Sequence, residues 1–317
     1  MALTYDRRIR PALEAVLEPG GIAHTLVERH LSDPDRVDLH LRAYPDQARN
    51  WVTLYCGLTK PLDLFETHGW YQLQTHATWR VHGPDVPWNA RLDQAGLKQA
   101  WPRVEAYLDV VLPKIEGTRW FGKEGAVQTA VTRLAHDGMT VFDREACPSF
   151  TDTPEKKLIM GQECQLLTAG LTSEEKWWVL PKLGEECDAV ALDKSGRFLA
   201  VEVKPASAGA KSIAFAPLQA AYYARLFMRW AASDPSHASC IDGLIAQRAR
   251  LGLSPEGASQ TTKPMPVVPV VIIGGGSPSV EVLRRCRAVR DRLLEVGLVE
   301  ELQLWSLDRG VLHSLTE

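Results

Sequence analysis

Charge placed inside a short apolar strand limits what that strand can pair with, and this chain does it between residues 186 and 204. Two β-type runs, Cys187 to Leu192 and Arg197 to Lys204, flank the turn-forming tetrapeptide Asp193-Lys194-Ser195-Gly196. The pattern predicts a β-hairpin. Pairing Leu192 with Phe198 matches apolar to apolar across the turn. Antiparallel geometry then keeps the sum of partner numbers constant, which sets Val190 opposite Ala200, Asp188 opposite Glu202 and Glu186 opposite Lys204. Opposed side chains share a face with Cβ atoms about 4.5–5.5 Å apart. Lys204, two residues beyond Glu202, points the same way, whereas a slip of one residue would turn one carboxylate to the other face. Carboxylates this close repel unless a cation lies between them. The expected cluster is an acid pair with an adjacent ammonium, suited to Mg²⁺, which takes oxygen ligands at about 2.1 Å.

Such a cluster fits phosphodiester hydrolysis. The metal neutralises phosphate and acidifies its bound water, while the lysine orients that water or stabilises developing negative charge. An acid-x-lysine triplet alone says little, since Glu155-Lys156-Lys157 and Glu174-Glu175-Lys176 have the same form. The copy at Glu202 lies in an apolar strand, has an acid at hairpin distance, and leads through a Pro/Ala/Gly/Ser-rich break into a helix. On that helix Gln219 and Tyr223 share a face.

In these residues the chain resembles the PD-(D/E)XK nuclease superfamily, the restriction-endonuclease-like fold, from near Gly117 to the C-terminus. The family's second core strand carries an Asp, matched by Asp188, and its third a Glu-x-Lys, matched by Glu202-Val203-Lys204. The next helix often carries Gln-x-x-x-Tyr, matched by Gln219 and Tyr223. Cys187 stands where the family name has Pro, at a position that is not a ligand. The resemblance implies a metal-dependent nuclease: Asp188, Glu202 and the Val203 carbonyl would hold Mg²⁺ or Mn²⁺, Lys204 would handle the attacking water, and Gln219 and Tyr223 would orient phosphate or the lysine. It also implies that the opening helix of the core contributes an acid, for which Glu124 is the candidate, with Gln128 one turn later. The ordinary alternative is a solvated glutamate near the positive end of the helix dipole.

At 317 residues the chain exceeds the usual single domain. Leu112-Pro113 through Gly117-Thr118 interrupts a helical pattern and gives the boundary. Residues 1–116 then form a smaller α+β domain, and 117–317 an α/β core with a mixed sheet flanked by helices. In the first, a helix over Arg8 to Val27 breaks at Pro19-Gly20-Gly21. Strand candidates follow at Val37 to Arg42, Trp51 to Leu58, Leu62 to Phe65, Trp70 to Thr75 and Thr78 to Val81, an antiparallel meander. A helix covers Leu97 to Val111, where Pro102 fits only the first turn or a kink.

In the second, a helix from Lys123 to His136 precedes a strand from Met139 that extends towards Ala146. A partly helical insertion spans Pro148 to Gly170, and Trp177 to Leu180 extends or precedes the Asp188 strand. After the hairpin come a helix from Pro217 to about Ala232, an insertion with a helix over Ile241 to Leu251, and a strand over Val267 to Ile273. The glycine turn Gly274-Gly275-Gly276, a helix from Ser279 to Val296 and a strand from Glu301 to Leu307 complete the pattern.

The formal net charge of -3 gives no general attraction to nucleic acid, so any contact must rest on a local basic patch plus metal. Candidates are Arg225 and Arg229 beside Tyr223, and Arg284, Arg285, Arg287, Arg290 and Arg292 on the last helix. The six cysteines include no Cys-x-x-Cys pair, which argues against a zinc ribbon and for free thiols in a reducing cytoplasm. Met1 to Arg10 lacks the apolar core of a signal peptide, and no run approaches the roughly 18 apolar residues of a membrane span. Six of the ten tryptophans fall at or before Trp120; core packing is their commoner use, stacking on bases the other.

The expectation is a cytoplasmic DNA endonuclease, DNA being favoured over RNA, serving restriction, defence or repair. The first domain would recognise substrate, form a homodimer or bind a protein partner. Two alternatives stand beside it: a catalytically inactive nuclease fold that binds nucleic acid or protein, and a nucleotide-binding enzyme built on the glycine turn.

Overall fold

The computed structural model describes residues 3–44, 49–119, 121–133, 139–171, 183–254, 260–262 and 265–315. Trp120, the run Trp177 to Leu180 and the Glu174-Glu175-Lys176 triplet lie outside them. Two sheets organise the chain, each the centre of one unit: Asp6–Arg133 with Gly243–Ala258, and Met1–Tyr5 with Leu134–Asp242 and Ser259–Glu317.

The first unit contains α1 (Pro11–Leu17), α2 (Thr25–Ser32), β1 (Val37–Ala43), β2 (Asn50–Cys56), β3 (Thr59–Thr67), β4 (Trp70–Gln74), α3 (Ala77–Arg80), α4 (Gln94–Glu116) and α5 (Lys123–Arg133). Its strands pair antiparallel in the order β1-β2-β3-β4, the expected meander. Thr78 to Val81 is not a further strand. The free edge of β4 is taken instead by residues 89–92, with reciprocal backbone bonds between Tyr71 and Leu92 and one from Asn89 N–H to Leu73 O. Ala77–Arg80 accordingly turns into α3, with His76 Nδ1 accepting the N–H of Thr78.

Helix α4 runs through both Pro102 and Pro113. Each proline costs about 3 kcal/mol inside a helix. The buried stripe from Leu97 and Trp101 through Tyr107 and Leu108 to Ile115 outweighs this, at roughly 1.5–3 kcal/mol per large apolar side chain. The division between units also falls after α5 rather than at 116/117. Helix α5 packs on β1. Residues 243–258 return to the first unit because Gln247 pairs with both backbone groups of Ile9 at 2.8 Å, and Arg248 donates to Leu39 O at 3.3 Å.

Asp38, His40 and Arg42 alternate along β1 and are all buried. His40 Nε2 meets Asp38 Oδ2 at 2.6 Å, and the N–H of Leu39 donates to His30 Nδ1 at 3.0 Å. Burial lowers the His30 pKa well below its ordinary 6.5; Asp38 opposes this, while Arg133, Arg248 and His40 reinforce it.

The second unit contains β5 (Met139–Ala146), α6 (Thr153–Ala169), β6 (Cys187–Asp193), β7 (Phe198–Pro205), α7 (Ala210–Ala214), α8 (Ala216–Ser233), the start of α9 (His237–Arg250), β8 (Val267–Gly274), α10 (Val280–Glu295), β9 (Gln303–Asp308) and β10 (Val311–Ser314). Its mixed sheet has the order β10-β9-β8-β7-β6-β5. Strands β5, β6 and β7 are antiparallel neighbours, whereas β7, β8 and β9 run parallel. The fold is therefore α/β with a mixed sheet flanked by helices. Strand β10, absent from the sequence pattern, folds back on β9 through Arg309 and Gly310, both at positive φ.

Helix α8 packs on β7 and β8, and α6 and α10 pack on α8. Between α8 and the sheet, Phe198 and Phe227 lie 4.7 Å apart, joined by Tyr5, Phe142 and Trp230 in edge contacts. All six cysteines are free thiols. Among the described residues no helix is long and apolar enough to cross a membrane.

Two outcomes follow from these features. Gly69 and Gly196 both have positive φ, but a Cβ at Gly69 meets nothing, whereas at Gly196 it would lie 2.0 Å from Gln260 O. Thermal melts should show Gly69→Ala losing only about 1 kcal/mol of conformational strain and Gly196→Ala clearly more; equal losses would contradict the packing around this turn. Independently, a neutral folded His30 means that the unfolded chain binds the extra proton. Its contribution is then full above pH 6.5 and declines as pH falls below it. His30→Gln should flatten the acid side of the stability profile.

Candidate active site

The β6–β7 hairpin adopts the register expected from its apolar pattern. Leu192 pairs with Phe198, Ala191 with Leu199, Val190 with Ala200 and Ala189 with Val201. The turn is held by Asp193, whose Oδ1 accepts the N–H groups of Ser195 at 2.8 Å and Arg197 at 2.9 Å. Gly196, at φ +74°, supplies the left-handed step.

The backbone ladder between β6 and β7 ends at Ala189 and Val201. One residue further, Asp188 Oδ2 accepts the N–H of Val203 at 2.8 Å, so a carboxylate takes the place of a strand carbonyl. The Cys187 thiol fills the adjoining space, with Sγ 3.1 Å from Ala189 O and 3.3 Å from Val201 O. Val203 is flanked by Glu202 and Lys204, whose side chains are in direct ionic contact. Glu202 is 2% exposed, Lys204 8%, and Asp188 is half-buried. Strand β7 lies between β6 and β8, which buries it along its whole length and fixes this triplet rigidly.

Tyr223, on α8, completes the cluster. Burial raises its pKa far above the phenol range, and Glu202, Cys187 and Asp188 push in the same direction. The ring is therefore a neutral phenol at physiological pH, able to donate a hydrogen bond. Burial, then Glu202 and Asp188, likewise raise the Cys187 thiol, which keeps it protonated and unsuited to nucleophilic attack. Both carboxylates thus act electrostatically on both the thiol and the phenol. Gln219, one turn before Tyr223, is half-buried, and its amide has no partner among the described residues.

A contributor invisible in the sequence is Gly184. A Cβ there would lie 2.5 Å from the Tyr223 hydroxyl oxygen, so the tyrosine rests against bare backbone. No local pattern marks this glycine, because the contact joins a loop to a helix far along the chain.

Other candidates have different settings. Glu124 belongs to the first unit, exposed in the first turn of α5, while Gln128 is buried. Arg225 and Arg229 both engage Glu163 of α6, a carboxylate 1% exposed, and Arg225 also donates to Leu298 O. They lock α6 to α8 rather than form an open basic stripe. On α10, Arg284 and Arg285 share Glu281, Arg290 pairs with Asp291, Arg292 with Glu295, and Arg287 donates to Leu315 O. The glycine turn after β8 leads into α10, capped by Ser279.

Among the described residues, no group of three or more His, Cys, Asp or Glu side chains is placed to hold a metal ion. The acid pair offers two. Mg²⁺ needs no more, since it retains several waters and is commonly held by one or two carboxylates. The donor set, all carboxylate and carbonyl oxygen, suits Mg²⁺ or Mn²⁺ and not a thiolate-seeking metal.

Removing one member of the Glu202–Lys204 pair leaves the other buried and uncompensated, at about 3–5 kcal/mol, whereas replacing both by apolar residues of similar size is near neutral. Glu202→Leu and Lys204→Met should each lower the melting temperature, and the double variant should recover most of the loss. Strictly additive losses would show that the two charges do not support one another.

Comparisons with protein-family models, with curated proteins and with solved structures gave no match.

Proposed function

We propose that the unit built on the mixed sheet is a metal-dependent nuclease with a restriction-endonuclease-like core, hydrolysing phosphodiester bonds of nucleic acid, DNA before RNA. The observation that carries this reading is the bond from Val203 N–H to Asp188, which ties one carboxylate to the strand bearing Glu202 and Lys204. The strand order supports it: an antiparallel trio continues into parallel strands joined by helices.

Asp188, Glu202 and the Val203 carbonyl are the groups that would hold Mg²⁺ or Mn²⁺. The bound ion would neutralise phosphate and render its water acidic enough to attack at neutral pH. Lys204, in contact with Glu202, would orient a water or stabilise the charge that develops on phosphate. Tyr223, a neutral phenol, would donate a hydrogen bond to phosphate, and the Gln219 amide offers a second contact to phosphate or to the lysine. Burial along β7 keeps these groups in fixed geometry, which lowers the reorganisation needed during reaction.

Restriction, defence and repair all suit this chemistry, and the first unit would recognise substrate, dimerise or bind a protein. Free thiols fit a reducing compartment such as the cytoplasm.

The test is cleavage of supercoiled plasmid, single-stranded DNA and RNA with Mg²⁺, Mn²⁺ or EDTA. Metal-dependent cutting should fall at least about a hundredfold in Glu202→Gln and Lys204→Met, each first shown to be folded. Wild-type activity in either folded variant would refute the site. Binding of nucleic acid without cutting would favour the inactive-fold alternative. Glu124→Ala, included in parallel, separates a role in the chemistry from a solvated helix start.

A further inference from the structure

Side chains of the β1–β4 sheet alternate between two faces. One face carries Leu54, Leu64 and Leu73 into the core. On the other, the register sets Trp51 opposite Phe65 and Phe65 opposite Gln72, and the Tyr71–Leu92 bridge continues this row to Arg91. Trp70, at the start of β4, shares this second face and is a diagonal neighbour of Phe65, at about 7–8 Å.

Two guanidinium groups sit over these rings. Arg49 Cζ lies 3.8 Å from the centroid of Phe65, and Arg91 Cζ 4.1 Å from that of Trp70. Trp51 stacks against Phe65 at 5.4 Å, and Tyr44 leans on Trp51 at 5.4 Å. A cation over a ring is held in place while its N–H groups stay available to an anion. Among the described residues, Arg49 contacts a single acceptor, Gln72 Oε1 at 3.5 Å, and Arg91 contacts none. Neither is paired with a carboxylate there, in contrast to Arg225 and Arg229 at Glu163 and to Arg284 and Arg285 at Glu281. Asp63, one row along, accepts the Thr53 hydroxyl at 2.5 Å. Arg49 and Arg91 thus form the kind of local cationic patch that a chain of net charge -3 needs in order to hold a polyanion.

We propose that this face binds a single-stranded stretch of nucleic acid. Arg49 and Arg91 hold phosphates, and the rings of Tyr44 and Trp70, 50% and 40% exposed, meet unpaired bases. A sheet that presents aromatic and arginine side chains together suits an extended strand, because every base has a ring face and every linkage a phosphate. Rings beside the cations favour nucleic acid over an anionic lipid surface or a phosphoserine peptide, which offer charge without a planar ring. The choice of polyanion rests on the nuclease reading, whereas the surface itself draws on no part of the acid pair.

The experiment is fluorescence anisotropy of the full chain with labelled single-stranded and duplex oligonucleotides, over a salt series in EDTA, where metal-dependent cutting is silent. Single strands should bind more tightly than duplex. Arg49→Gln and Arg91→Gln should each weaken binding severalfold and reduce the slope of log K against log salt by about 0.7. Trp70→Ala should weaken single-strand binding about fivefold or more. Arg284→Gln, which removes a guanidinium already neutralised by Glu281, should leave affinity and slope as they are. The inference is overturned by no binding at low salt, by duplex binding as tightly as single strands, or by unchanged binding when Arg49→Gln and Arg91→Gln are combined in a folded chain. Tighter binding of phosphatidylserine vesicles or of a phosphoserine peptide would overturn it as well. Loss of binding in the arginine variants upholds this surface even where the wild type cuts nothing. Metal-dependent cutting with binding unchanged in those variants leaves the nuclease standing and removes this surface.

Discussion

The N–H of Val203 is given to a carboxylate instead of a neighbouring strand. In a strand buried along its length, an unpaired amide costs about 1–3 kcal/mol. Asp188 removes that cost at the point where the backbone ladder stops. Its position is consequently set by the sheet, and with it the distance between the two acids. The cysteine before it fills the same gap with a thiol, small and weakly polar, where a larger residue would drive the strands apart. The hairpin, the acid pair and the lysine form one construction, closed at the far end by the Asp193 turn.

Around this hairpin, charge is matched close to where it arises. Glu163 is almost wholly buried because two arginines from α8 meet it. Their pairing fixes α6 against the helix that carries Gln219 and Tyr223, while the Phe198–Phe227 contact fixes that helix against β7. The orientation of Tyr223 thus depends on packing both above and below α8.

The hairpin was legible because its information is local: an apolar match across a short turn determines all four ladder pairs. The meander and most helices were legible for the same reason, through the periodicity of their apolar residues. What the sequence concealed depends on distant partners. Thr78 to Val81 has strand-like residues, but the edge it would need is occupied by residues 89–92. The prolines of α4 looked like breaks because the apolar stripe that outweighs them is recognised only once its partners are known. Arginines beside Tyr223 read as an open phosphate contact until Glu163, more than sixty residues earlier, is brought beneath them. Gly184 carries no signal at all, since its value lies in the missing side chain.

The arginines have a consequence for thermodynamics. A polyanion gains affinity from cationic side chains largely by releasing the counterions condensed on its phosphates, and this release makes binding fall steeply as salt rises. Where guanidinium groups are already neutralised by carboxylates of their own fold, as at Glu163 and Glu281, few counterions are exchanged. At these four arginines the charge is committed to the fold, and contact of a polyanion with them would respond only weakly to ionic strength.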